Sequence, residues 1–139
     1  MPEQAKSAGA KPRPLSPHMQ IYRWPVTMAT SIVHRATGLA LSAGTLLVAW
    51  WLVATAMGDA QYDLFSTVAR SPLGQLVLFG FVWSLAYHLL NGIRHLAWDV
   101  GYGFAVQTAS RTGVLVFTLS IFVAIAVFAY AYAAKGMHL

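Results

Sequence analysis

The chain has no cysteine in 139 residues. That absence excludes disulfides, thiolate-held metals, iron–sulfur clusters and thiol nucleophiles. Charge is scarce as well: Asp, Glu, Lys and Arg make up 9% of the chain, against 58% hydrophobic residues, where soluble domains carry about 25% charged residues. Such a composition excludes a disordered protein and points away from a soluble enzyme. The net charge of +5 is no sign of a nucleic-acid partner, and none is expected, because most of the cations flank apolar runs.

Three of those runs are long enough to cross a bilayer, which takes roughly 20 apolar residues. Residues 38–57 carry no charge, residues 72–93 hold His88 alone among groups that titrate near neutral pH, and residues 112–134 contain no Lys, Arg, His, Asp or Glu. A soluble bundle would need polar faces at helical spacing, and none of the runs has one. The expected fold is an all-α membrane protein with three transmembrane helices, spanning about 29–57, 72–98 and 111–134. Residues 1–26 hold Lys6, Lys11, Arg13, Arg23 and five of the six prolines. They read as an N-terminal cytosolic arm, with no apolar signal-peptide core before Thr27, leaving 27–139 as the three-helix domain.

Orientation follows from the cations. Lys6, Lys11, Arg13, Arg23 and Arg35 lie on the N-terminal side, joined by Arg94 and Arg111 from the link between the second and third spans; Arg70 and Lys135 lie opposite. The positive-inside rule then predicts a cytosolic N-terminus and a periplasmic C-terminus.

Ionisable groups within spans are costly in lipid and face a cavity or a partner. In the second span, His95 and Asp99 fall within about 20° of His88, and Ser84 and Gly92 about 40° to either side. An intramembrane imidazole with glycine one turn away suits axial ligation of a haem iron, the glycine admitting the macrocycle edge. A packing histidine is the alternative. On the first span Thr27, Ser31, Arg35, Gly38, Ser42 and Thr45 recur at spacings of three and four, a small-and-polar stripe of the kind that packs on another membrane helix. Arg35 suits a haem propionate or a quinone carbonyl, and Ser31 can donate to the same ligand. Each also has a plain reading: Arg35 snorkelling to phosphates, Ser31 as a packing residue.

Together the spacings are specific. The chain reads Arg13-Pro14-Leu15, Met19, Val26, Ser31, His34-Arg35 and Thr37, then His88, Gly92-Ile93-Arg94-His95-Leu96, Trp98-Asp99 and Gly101. This pattern closely resembles the cytochrome b subunits of succinate dehydrogenase, small membrane anchors of respiratory complex II. The resemblance implies a second small anchor subunit, an iron–sulfur subunit and a flavoprotein subunit as partners, with ubiquinone as electron acceptor. It implies a haem b shared with the second anchor, His88 as one axial ligand to the iron, and His34 and Arg35 near the propionates. It places Ser31, Ile32 and Arg35 in the quinone pocket. No succinate oxidation is expected of the chain alone. The expected location is the inner membrane of a bacterium, as no transit-peptide pattern favours a mitochondrion. A haem-free anchor that only docks soluble subunits, or a fumarate reductase anchor, is the alternative function.

Overall fold

The computed structural model describes residues 23–135. The arm's Arg13, Pro14, Leu15 and Met19 lie outside the described residues. Four helices follow in order: α1 (Val26–Met57), α2 (Asp59–Arg70), α3 (Pro72–Asp99) and α4 (Val106–Lys135). α1, α3 and α4 are each long and apolar enough to cross a membrane. α1 begins at Val26 and α4 at Val106, against expected starts of 29 and 111.

The helix ends follow from local chemistry. Pro25 precedes α1 with extended backbone, and its carbonyl accepts from Met28 and Ala29 at 3.0 and 3.2 Å. Ser71 caps α3 by accepting from the Gly74 amide at 3.1 Å, with Pro72 at the first helical position, where its missing N–H costs nothing. α3 closes in a Schellman turn: Gly101 N–H donates to Trp98 O at 2.8 Å and Tyr102 N–H to Ala97 O at 2.9 Å. That turn needs φ of +92° at Gly101, a value side chains with a Cβ resist.

α2 is a helix absent from the expected three-helix plan. Twelve residues that include Asp59, Gln61, Asp63 and Arg70 are too short and polar to span. Gly58, at φ +99°, breaks α1 and redirects the chain into it. Phe65 of α2 meets Trp50 of α1 edge to face at 5.0 Å. These two residues help line an apolar cavity of about 180 Å³ between α1, α2 and α3, which Leu47, Val68, Leu73 and Val77 complete.

The seam of α1 inside the bundle is Thr30, Thr37 and Gly44, spaced seven apart. The stripe expected to pack, Ser31, Arg35, Ser42 and their neighbours, is rotated by about 100° from this seam, one residue's turn. Arg35, Ser42 and Thr45 are exposed on the outside of the bundle, so of this stripe Gly38, which lies against His88, makes the intrachain contact and those three do not. Close approach decides which face packs. A Cβ on Gly44 would overlap the Phe81 ring of α3, and one on Gly113 of α4 would stand 3.1 Å from Thr30 Cγ2. Small and threonine residues therefore bring the backbones together, as packing in lipid requires. Large apolar residues such as Leu39, Leu46, Leu89 and Phe122 point outward.

Candidate functional site

The start of α1, the end of α3 and the start of α4 meet at one end of the bundle. There, α1 and α3 bring three histidines together. The His34 and His88 rings stack with centroids 3.9 Å apart and planes 11° from parallel, and the other contact of His34 is His95, at 5.1 Å and 18°. All three are half-buried. His95 lies seven residues after His88, hence nearly above it on α3, and a single ring from α1 covers both.

His88 Nδ1 lies 3.2 Å from the His34 carbonyl and 3.3 Å from the Thr37 hydroxyl. Nε2 makes no hydrogen bond among the described residues. His95 Nδ1 lies 2.7 Å from the Asn91 carbonyl one turn back. His34 Nδ1 is buried without a partner. Nothing stands within 4 Å of where a Gly92 Cβ would be, so the α3 backbone is open one turn from His88. Asp99 is exposed.

The other sequence-predicted residues sit on the adjoining face. Ser31 is half-buried, Ile32 and Arg35 are exposed, and neither Ser31 nor Arg35 hydrogen-bonds within the described residues. One turn apart, they share an outward face. His34 lies between that face and the buried seam, about 60° round the helix from Ser31. The structure therefore brings His34, His88 and His95 into contact and leaves the Ser31–Arg35 face next to them, with no hydrogen bond from either side chain among the described residues.

Arg94 falls within the expected 72–98 span but is grouped with the link cations in the orientation count; it lies in the last turns of α3 and is 7% exposed. Its guanidinium donates to Thr112 Oγ1 at 3.1 Å, Asn91 Oδ1 at 3.1 Å, Ala109 O at 2.7 Å and, more weakly, Thr30 Oγ1 at 3.5 Å. The Trp98 ring lies beneath it at 4.1 Å. Five fixed donors make Arg suited to binding several neutral acceptors at once. Tyr87, fully buried, donates to Thr30 O at 2.9 Å and was likewise missed. The one available signal was position: Tyr87, Asn91 and Arg94 recur at spacings of four and three along α3, a polar line on a membrane helix.

The succinate dehydrogenase/fumarate reductase transmembrane subunit family model matches residues 9–127. The succinate dehydrogenase cytochrome b556 subunit of Paracoccus denitrificans is 44% identical over 113 residues, covering 81% of this chain and 87% of the relative. The mitochondrial cytochrome b560 subunit of Sus scrofa is 43% identical over 111 residues, covering 78% of this chain and 66% of the relative. The b556 subunit of Rickettsia typhi is 40% identical over 110 residues, covering 78% and 85%. The chain therefore belongs to the succinate dehydrogenase/fumarate reductase transmembrane subunit family, and within it stands with the cytochrome b membrane anchors of succinate dehydrogenase.

Proposed function

We propose that this chain anchors a succinate:ubiquinone oxidoreductase in the inner membrane of a bacterium, supplies one axial ligand to a haem b, and forms part of the quinone site. The observation that carries this reading is the state of His88. Its Nδ1 is occupied by the His34 carbonyl and its Nε2 has no hydrogen-bond partner among the described residues, the arrangement a metal-ligating imidazole requires.

The residues present fit the haem. His88 would hold the iron from one side, and a histidine of a second small anchor subunit would hold it from the other. The open backbone at Gly92 leaves room beside the ligand. His34, with an unsatisfied buried ring nitrogen, and the free guanidinium of Arg35 suit the propionates. When bound, the haem supplies a one-electron redox centre. Ser31 and Arg35 offer hydrogen-bond donors to quinone oxygens, with Ile32 as apolar wall. The cations support the orientation: with Arg94 buried, six remain on the N-terminal side against Arg70 and Lys135, which favours a cytosolic N-terminus and a periplasmic C-terminus. The site then faces the iron–sulfur and flavoprotein subunits. The chain has no cluster ligands of its own, so succinate oxidation belongs to those partners.

Purification of the intact complex tests the reading. A low-spin bis-imidazole haem spectrum, with quinone reduction coupled to succinate oxidation, is the expected result. A complex that reduces quinone yet carries no haem overturns the haem role and leaves the anchor role.

A further inference from the structure

We infer that Thr37 and Gly38 of α1 are positioning residues for His88, forming with the His34 carbonyl a seat that fixes which ring nitrogen carries the proton and where the ring lies. This rests on the reading of His88 as an iron ligand.

Three polar atoms close a triangle. The Thr37 hydroxyl lies 2.9 Å from the His34 carbonyl, His88 Nδ1 lies 3.2 Å from that carbonyl, and Nδ1 lies 3.3 Å from the hydroxyl. The protons available assign the donors. A carbonyl oxygen only accepts. Thr37 places its single proton on that carbonyl, its shortest contact, which turns a hydroxyl lone pair toward Nδ1. Both oxygens then present lone pairs to Nδ1, and the only proton that can satisfy them is the one on Nδ1 itself. The other tautomer sets the lone pairs of Nδ1 and the carbonyl oxygen against each other at 3.2 Å. The seat thus selects Nδ1–H and leaves the lone pair on Nε2. A second consequence is electronic: an imidazole whose N–H is held by acceptors is a stronger donor to a metal and favours its oxidised state.

Gly38 supplies the clearance. A Cβ there would stand 3.2 Å from His88 Cε1 and 3.7 Å from Nδ1. A side chain at 38 therefore requires the ring to give by a few tenths of an ångström, out of the position the carbonyl sets. Thr37 is itself buried, at 2% exposure, so its hydroxyl has no solvent to turn to.

The test uses the intact membrane complex with its haem. Thr37→Val keeps the side-chain shape and removes one of the two oxygens facing Nδ1–H; the haem midpoint potential is expected to rise. Thr37→Ser restores the hydroxyl and is expected to keep the wild-type potential. Gly38→Ala is expected to change the g-values of the low-spin EPR signal as the ring is displaced. Haem loss in Thr37→Val but not in Thr37→Ser supports the same role. An unchanged potential in Thr37→Val, haem loss or an equal shift in both Thr37 variants, or an unaltered EPR signal in Gly38→Ala overturns it. A wild-type complex without low-spin haem, or a His88→Ala complex that keeps one, overturns instead the ligand reading on which it rests.

Discussion

His34 touches His88 twice. Its ring lies flat on the His88 ring at 3.9 Å, and its carbonyl lies 3.2 Å from His88 Nδ1. The two contacts separate genetically. His88→Ala removes the proposed ligand, and the low-spin spectrum is expected to vanish, with His95 the one substitute on that face. His34→Ala removes the ring and keeps the carbonyl, so the low-spin spectrum is expected to persist while haem content falls. Optical spectra of the two purified variants check this; identical spectra would refute the division.

The side chains of Ser31 and Arg35 make no hydrogen bond among the described residues, so changing them costs the bundle little. A hydrogen bond to a bound neutral ligand is worth roughly 0.5–1.5 kcal/mol. Ser31→Ala is expected to weaken apparent quinone affinity by about two- to tenfold with haem content unchanged. Arg35→Lys keeps the charge but loses the planar fork, and is expected to impair quinone reduction more than haem retention. Succinate oxidation with a dye that takes electrons before the quinone stays normal in both. A parallel fall in the dye assay would place the defect in assembly.

Arg94 ties α3 to α1 and α4 through three acceptors, Thr30, Ala109 and Thr112, and bonds Asn91 on its own helix. Arg94→Leu leaves Asn91 Oδ1 without a partner among the described residues, at about 1–3 kcal/mol, and removes the ties to Thr30, Ala109 and Thr112. The expected result is low complex yield and a lowered melting temperature, not a selective loss of quinone affinity. Normal yield with selective loss would show that Arg94 contacts a ligand.

Gly44 is where α1 and α3 approach over Phe81. Gly44→Val forces Phe81 out of its place, and overpacking costs about 1–3 kcal/mol. Thermal stability of the complex is expected to fall, more than for Gly80→Val, since no atom stands within 4 Å of a Cβ on Gly80.

The spans were legible because three uncharged runs of sufficient length leave hydropathy little freedom. The pairing of His34 with His88 was not, because which faces of α1 and α3 meet depends on close approach at Gly38 and Gly44, a property of two helices at once. The same cause misled the stripe from Thr27 to Thr45: polar periodicity marks a face that needs a partner without saying whether the partner lies within the chain. The burial of Arg94 was not legible, because a cation near the end of a run counts as an interfacial charge until Asn91, Ala109 and Thr112 are seen to surround it. α2 escaped notice because its twelve residues are neither apolar enough for a span nor marked by strong turn residues beyond Gly58.

α3 and α4 are joined by polar contacts at three depths: Arg94 to Thr112 near one end, Trp83 Nε1 to Ser120 Oγ at 3.1 Å in the middle, and Tyr132 Oη to Gln75 Oε1 at 3.0 Å near the other. A slip of one helical turn, about 5.4 Å, would break all three together, and lipid offers no substitute partners. The two helices are therefore locked in register: neither slides along the other, and a displacement at the α2 end is carried to the histidine end by the pair as one body.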